Sequence, residues 1–346
     1  MKLTEFNYPL PKKLIAKHPA HLRDHSRLMV LDRGTDLIKE RIFCEIIDYF
    51  SKGDCLVVNE TKVYKARLFG KKEKTNANVE VFLLRKLSNS EENIWDVFVD
   101  PARKVRVGNK LFFDDGKLWC EVLDNTTSRG RTIRFNHNED LFKIIERIGA
   151  TPLPPYIKRK VTSKDRKSYQ TVYAKTIGAV TAPAAGLHFT KGLLKKLEAK
   201  GVKIAPVLLH LGLGAMHPIE VEDLNKHKLD SEYFEISNKA ANIINKTTDS
   251  KHTVFVVGTS TCRALESSVT ADGHVKPARG WTDKFIFPPY QFKITNKLIT
   301  NFHLPESPPL TLASAFGGHE FLMQGYKKAV KDAYRFCCYG DAMLIV

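Results

Sequence analysis

The sequence predicts an α/β domain of parallel character, a sheet or a barrel, interrupted by an all-β insertion. Three observations predict it. GDCLVVNETKV (53–63) is an apolar run after a glycine and reads as a buried strand. Between about 64 and 136, short strand-like runs recur with turn residues between them. After residue 150, strand-like and helix-like segments alternate. The insertion is therefore drawn at 64–149 and the α/β domain at 1–63 and 150–346. A chain of 346 residues suits two domains at roughly 150 residues each.

Within the insertion the strand candidates are VEVFLLRK, NIWDVFVD, NKLFF, KLWCEVLD and RTIRFN. Turn signals separate them at Asn89-Ser90, Gly108-Asn109, Asp114-Asp115-Gly116 and Gly130. This even spacing predicts an antiparallel β-barrel or sandwich, followed by the helix EDLFKIIERIG (139–149). Beyond it, TKGLLKKLEAKG (190–201) has a Thr N-cap and a closing glycine, and reads as a helix. VKIAPVLLHLG (202–212) and DSEYFEIS (230–237) are strands, and Ser237 caps the helix NKAANIINKTT. TVFVVG (253–258) is a strand leading into the helix TSTCRALESS. The helix HEFLMQGYKKAVKDAY (319–334) and the strand DAMLIV come last.

Composition excludes several classes. With 43% hydrophobic and 27% charged residues, the chain is neither disordered nor collagen-like. No window reaches 18 apolar residues, and the N-terminal stretch lacks an apolar signal-peptide core, so a cytoplasmic protein is expected. Cys44, Cys55, Cys120, Cys262, Cys337 and Cys338 form no C-x-x-C pair and read as buried small hydrophobes. His18, His21 and His25 share a helical spacing that Pro19 breaks, so no metal site is expected there.

The net charge is +17, and residues 151–200 hold more than half of the excess. Its densest stretch, YIKRKVTSKDRKSYQ (156–170), carries Lys158, Arg159, Lys160, Lys164, Arg166 and Lys167, with Tyr156 and Tyr169 placed to stack on bases. Concentrated positive charge interleaved with aromatics is the footprint of a nucleic-acid surface. Pro152, Pro154 and Pro155 make the segment a loop.

Five segments are candidates for small-molecule chemistry. Gly258, Thr259, Ser260 and Thr261 sit at a predicted helix N-terminus, where free N–H groups bind anions, and Arg263 follows as a fork for a carboxylate or phosphate. GAVTAPAAGLHFT (178–190) is rich in small residues and holds His188, titratable near neutrality. ARGWTDKFIFPPY sets Trp281 beside Asp283, a pairing suited to a purine or a cation, and NFHLPESPP sets His303 beside a Pro-rich turn. HLGLG (210–214) follows a strand but lacks the third glycine of a dinucleotide fingerprint. These readings reach a basic two-domain protein with a small-molecule site, and no particular reaction.

The same segments, in the same order, resemble one family along nearly the whole chain: the S-adenosylmethionine:tRNA ribosyltransferase-isomerases of queuosine biosynthesis. LPKKLIAKHPAHLRDHSRLMVLDR (10–33), GDCLVVNETKVYKARLFG (53–70), TPLPPYIKR (151–159), SYQTVYAKTIGAVTAPAAGLHFT (168–190) and LLHLGLGAMHPI (208–219) carry the likeness. VGTSTCRALES (257–267), GWTDKFIFPPYQFK (280–293), LITNFHLPESPPLTLASAFGGHE (298–320) and YGDAMLI (339–345) continue it. The resemblance implies an α/β barrel-like main domain with an inserted antiparallel β-barrel. It also implies transfer and isomerisation of the ribosyl part of S-adenosylmethionine onto 7-aminomethyl-7-deazaguanine at the tRNA wobble position. Epoxyqueuosine-tRNA forms, adenine and methionine leave, and no metal or redox cofactor is expected.

With that substrate, His188 is the candidate base for the acidic C–H beside the sulfonium, and Asp283 or His303 the proton source for departing adenine. Arg263 and the 259–261 backbone are assigned the methionine carboxylate, Trp281 the adenine or the sulfonium, and the basic segment the anticodon-arm phosphates, with Arg103, Lys104 and Arg106 of the insertion. The family usually has Thr at Ala184, Arg at His217, His at Asp230 and Lys at Glu306, so no contact is assigned to 217 or 306.

Overall fold

The computed structural model of the chain describes residues 1–87, 93–137, 139–214 and 218–346. The turn expected at Asn89-Ser90 and the family position His217 lie outside them. β1 (Arg27–Asp32) and β2 (Leu37–Ile42) form an antiparallel pair. The run 53–63, expected as one strand, is two: β3 (Cys55–Asn59) in the main sheet and β4 (Thr61–Val63) in a small one. Asn59 marks the break. Its side-chain oxygen accepts from the Thr61 and Leu209 N–H groups, and its amide donates to the Leu209 carbonyl.

The insertion is a barrel rather than a sandwich. β5 (Arg67–Lys72), β6 (Asn78–Lys86), β7 (Ile94–Asp100), β8 (Lys110–Phe113), β9 (Leu118–Asn125) and β10 (Gly130–Asn136) close in the order β10-β7-β6-β5-β8-β9. All of these neighbours run antiparallel, and closure leaves no edge unpaired. α1 (Leu141–Ile148) is capped by the Asp140 carboxylate on the Lys143 N–H. It lays Leu141, Ile144 and Ile145 against the barrel core of Val81, Val97, Leu111 and Ile133.

The remaining chain holds α2 (Asp165–Ser168), β11 (Thr176–Ala179), α3 (Lys191–Ala199), β12 (Lys203–Leu209), β13 (Glu232–Ile236) and α4 (Asn238–Asp249). It continues through β14 (Val254–Val257), α5 (Thr259–Ser268), β15 (Ala278–Thr282), β16 (Lys297–Asn301), α6 (Pro308–Gly317), α7 (His319–Lys331) and β17 (Ala342–Ile345). Thr190 and Ser237 cap α3 and α4 as the sequence indicated.

Nine strands form the main sheet in the order β15-β13-β12-β3-β14-β16-β17-β1-β2, and β12, β3, β14 and β16 run parallel at its centre. Parallel strands are covered on both faces. Cys55 and Val57 accordingly pack with Ala240, Ile244, Leu265 and Leu310, while Leu56 and Val58 pack with Phe43, Phe189, Leu193 and Phe255. Burying one such aliphatic or aromatic side chain contributes about 1.5–3 kcal/mol. The end strands β15 and β2 are not neighbours, so the barrel-like main domain is an open sheet and closure belongs to the insertion. Among the described residues no helix is long and apolar enough to cross a membrane.

Candidate functional site

Two recesses adjoin at Leu211. The first lies at the carboxyl ends of β14 and β16, where open α/β sheets hold their ligands. Gly258 takes φ +89° and turns β14 directly into α5, so Thr259 and Ser260 enter the wall with helix N-terminal N–H groups beside them. Thr300, Asn301 and His303 form the β16 side, Ala182–Ala185 a wall of small residues, and Tyr156, Tyr169, Cys337 and Cys338 the remainder. Among the described residues no charged side chain lines it. Two buried polar atoms in this wall, Asn301 Oδ1 and Tyr169 Oη, have no hydrogen-bond partner. An unpaired buried polar atom costs roughly 1–3 kcal/mol, which a polar ligand or water relieves.

His303 lies in the wall. Its Nε2 pairs with the Thr300 hydroxyl at 2.7 Å, its backbone N–H donates to Tyr326 Oη, and Tyr8 Oη donates to its carbonyl. Burial lowers its pKa to about 3, so the ring is neutral. His188 is not in the wall. It lies behind Asn301, whose Nδ2 donates to His188 Nε2 at 3.1 Å and also faces the Cys337 and Asp341 carbonyls. Those carbonyls fix the amide orientation, so Nε2 accepts and Nδ1–H donates to Ser26 Oγ at 2.7 Å. The ring stacks on Phe43, and burial lowers its pKa to about 4. Both nitrogens are thereby taken within the fold.

Two further candidate residues are likewise engaged within the fold. The Thr261 hydroxyl is fully buried and donates to the Val257 carbonyl. Arg263 is engaged within the fold: Nη1 donates to Glu232 at 2.5 Å, Nε to the Lys284 carbonyl at 2.9 Å, and Nη2 reaches the Thr282 carbonyl. Glu232 is held on its other oxygen by the Gly212 N–H at 2.7 Å. Asp283 is exposed just beyond β15 and lines neither recess.

The second and larger recess is the groove between the barrel and the main sheet. Arg85, Trp95, Asp96 and Phe142 face it from the barrel side; His210, Asp230, Glu232, Tyr233 and Trp281 face it from the sheet. Trp281 is 56% exposed, meets Tyr233 edge-on at 5.8 Å, and has the Arg85 guanidinium 5.9 Å from its ring. Trp95 Nε1 and Asp96 Oδ1 are buried and unpaired.

The basic segment divides. Lys158, Lys160, Lys164 and Lys167 are exposed, as are Arg103, Lys104 and Arg106 on the turn after β7. Arg159 instead forks Asp165 at 2.6 and 2.7 Å, and Arg166 forks Glu146 of α1 at 2.8 Å. Asp165 also accepts from the Thr162 N–H and hydroxyl, which curls the expected loop into α2. Tyr169 is buried and Tyr156 half-buried, both turned into the first recess and away from solvent. Five cysteines are buried and Cys44 is half-buried. His18, His21 and His25 are exposed and share no helix.

Of the family differences, Ala184 lines the first recess and Asp230 the groove, while Glu306 accepts from Asn7 Nδ2 at 2.7 Å. Sequence reasoning passed over Asn301, Glu232, Trp95 and His210. The last heads the HLGLG segment, whose glycines drew the attention.

These features define an α/β protein with a recess at its strand ends and a groove against an inserted barrel. A family profile described as "Queuosine biosynthesis protein" matches residues 3–345. The S-adenosylmethionine:tRNA ribosyltransferase-isomerase of Cytophaga hutchinsonii is 56% identical, and that of Chloroherpeton thalassium 54%, each over the full length of both chains. The crystal structure of S-adenosylmethionine tRNA ribosyltransferase from Thermotoga maritima covers 99% of this chain and is itself covered in full, at 36% identity and a TM-score of 0.57. The chain belongs to the queuosine biosynthesis protein family.

Proposed function

We propose that this chain is an S-adenosylmethionine:tRNA ribosyltransferase-isomerase, as its relatives are named. It moves the ribosyl group of S-adenosylmethionine to 7-aminomethyl-7-deazaguanine at the tRNA wobble position, isomerises it, and releases adenine and methionine. One observation carries the reading: a small recess with unpaired polar atoms opens beside a larger, aromatic groove, so two substrates of unequal size meet at Leu211. S-adenosylmethionine takes the recess, its carboxylate at the α5 N-terminus of Gly258, Thr259 and Ser260 and its purine within reach of neutral His303. The acceptor nucleotide takes the groove, with Trp281 as a stacking surface. Lys158, Lys160, Lys164 and Lys167 meet the phosphates. His188, Thr261 and Arg263 hold the scaffold around these contacts.

S-adenosylmethionine is consumed, and the transfer is redox-neutral, so the reading calls for no resident cofactor. A tRNA substrate places the work in the cytoplasm. The test is incubation with S-adenosylmethionine and tRNA bearing the aminomethyl base. Equal amounts of adenine and methionine are expected, and none with unmodified tRNA. S-adenosylhomocysteine with a methylated base would make the protein a methyltransferase; tRNA binding without release would make it a binding module.

A further inference from the structure

We infer that His210 is the hydrogen-bond acceptor for the amine of the acceptor base, a positioning residue that turns the nitrogen's lone pair toward the ribosyl donor. The inference rests on the function proposed above. His210 directly follows β12 and precedes Leu211, so it stands where groove and recess meet.

Three contacts fix the ring. Nδ1 lies 2.8 Å from the Thr61 hydroxyl, Tyr233 stacks on it at 5.9 Å, and its backbone N–H donates to the Tyr233 carbonyl. Gly178 lies against the ring so closely that an added Cβ would come within 2.4 Å of the imidazole. Glycine there is a condition of the ring's position, not of the local backbone.

The Thr61 hydroxyl can donate to or accept from Nδ1; we place the proton on Nδ1, which makes Nε2 an acceptor, and Nε2 has no partner among the described residues. This separates it from His188, whose nitrogens are both taken, and from His303, which is tied to Thr300. Burial lowers the His210 pKa to about 4, so the ring stays neutral beside an amine. Asp230 on the same wall favours a cationic or amine-bearing group, and Trp281 and Tyr233 extend the imidazole into one aromatic surface. A nucleobase laid on that surface has the imidazole at its edge. The buried Trp95 indole N–H, unpaired on the facing wall, awaits an acceptor of the kind nucleobase carbonyls supply.

The test compares one tRNA carrying either the aminomethyl base or guanine at the wobble position. Wild-type protein is expected to bind the aminomethyl form more tightly and to release adenine with it. His210→Ala should lose that preference by roughly tenfold or more and slow adenine release. His210→Gln, which keeps a neutral acceptor, should recover most of the preference. The inference is overturned if His210→Ala keeps preference and rate within twofold, or if Gln is as poor as Ala while still binding guanine-tRNA normally. Wild-type protein that releases no adenine from either tRNA would instead sink the function itself.

Discussion

Arg263 and Glu232 form a buried pair at 2.5 Å, each with further backbone partners, between the recess and the groove. Removing one partner strands the other's charge, so Arg263→Met should destabilise the fold by about 3–5 kcal/mol, read as a shifted urea midpoint. A ligand-binding arginine would instead show its loss in KM with stability intact. Sequence reasoning singled out Arg263 because it follows a helix N-terminus; Glu232, 31 positions earlier, had no sequence signal to mark it as the partner. Asn301 escaped for the same reason, since its importance lies in an amide shared among His188 and two carbonyls. The histidines carry a pH prediction. His188 and His303 are held by burial at about 4 and about 3, below the ordinary imidazole value, so the unfolded chain takes up their protons first. Stability from these two rings is present above about pH 6.5 and should fall as pH drops toward 4. His188→Gln should flatten that limb in denaturation curves taken across the same range.

At the level of elements, the sequence was readable wherever one period dominated. Five barrel strands, the capped helices α3 and α4, and the β14–α5 turn follow from alternation, caps and a glycine. β5 was missed because RLFGKK mixes glycine and lysine into a strand that alternates only in part. α6 was missed because PPLTLASAFG is apolar all round and opens on two prolines; it is a buried helix with no polar stripe. β4 was fused to β3 because the Asn59 side chain, not a turn residue, makes the division. Two substitutions test the elements. Thr190→Ala removes the α3 cap and should cost about 1 kcal/mol. Phe255→Ala removes a fully buried ring stacked on Phe50 at 3.8 Å and should cost about 3–5 kcal/mol. Both are read by thermal or urea unfolding.

Across the whole molecule, the insertion and the main sheet share the groove, and Arg166 ties the basic segment to α1. That join was not legible from the chain, because it depends on which face of the barrel meets which strand ends. The charge excess was legible, yet only part of it is available to a polyanion, since Arg159 and Arg166 are engaged within the fold. Affinity for tRNA should fall linearly in log–log with salt, and each of Lys158→Ala, Lys160→Ala, Lys164→Ala and Lys167→Ala should lower the slope by up to about 1. A flat salt response would remove the segment from the interface. The central claim is that carbon moves from the ribose of S-adenosylmethionine to tRNA, and label tracing tests it most directly. With S-adenosylmethionine labelled in the ribose, the label should appear in tRNA bearing the aminomethyl base, and with methyl-labelled substrate it should leave with methionine. Methyl label retained in tRNA, or ribose label absent from it, would contradict the account.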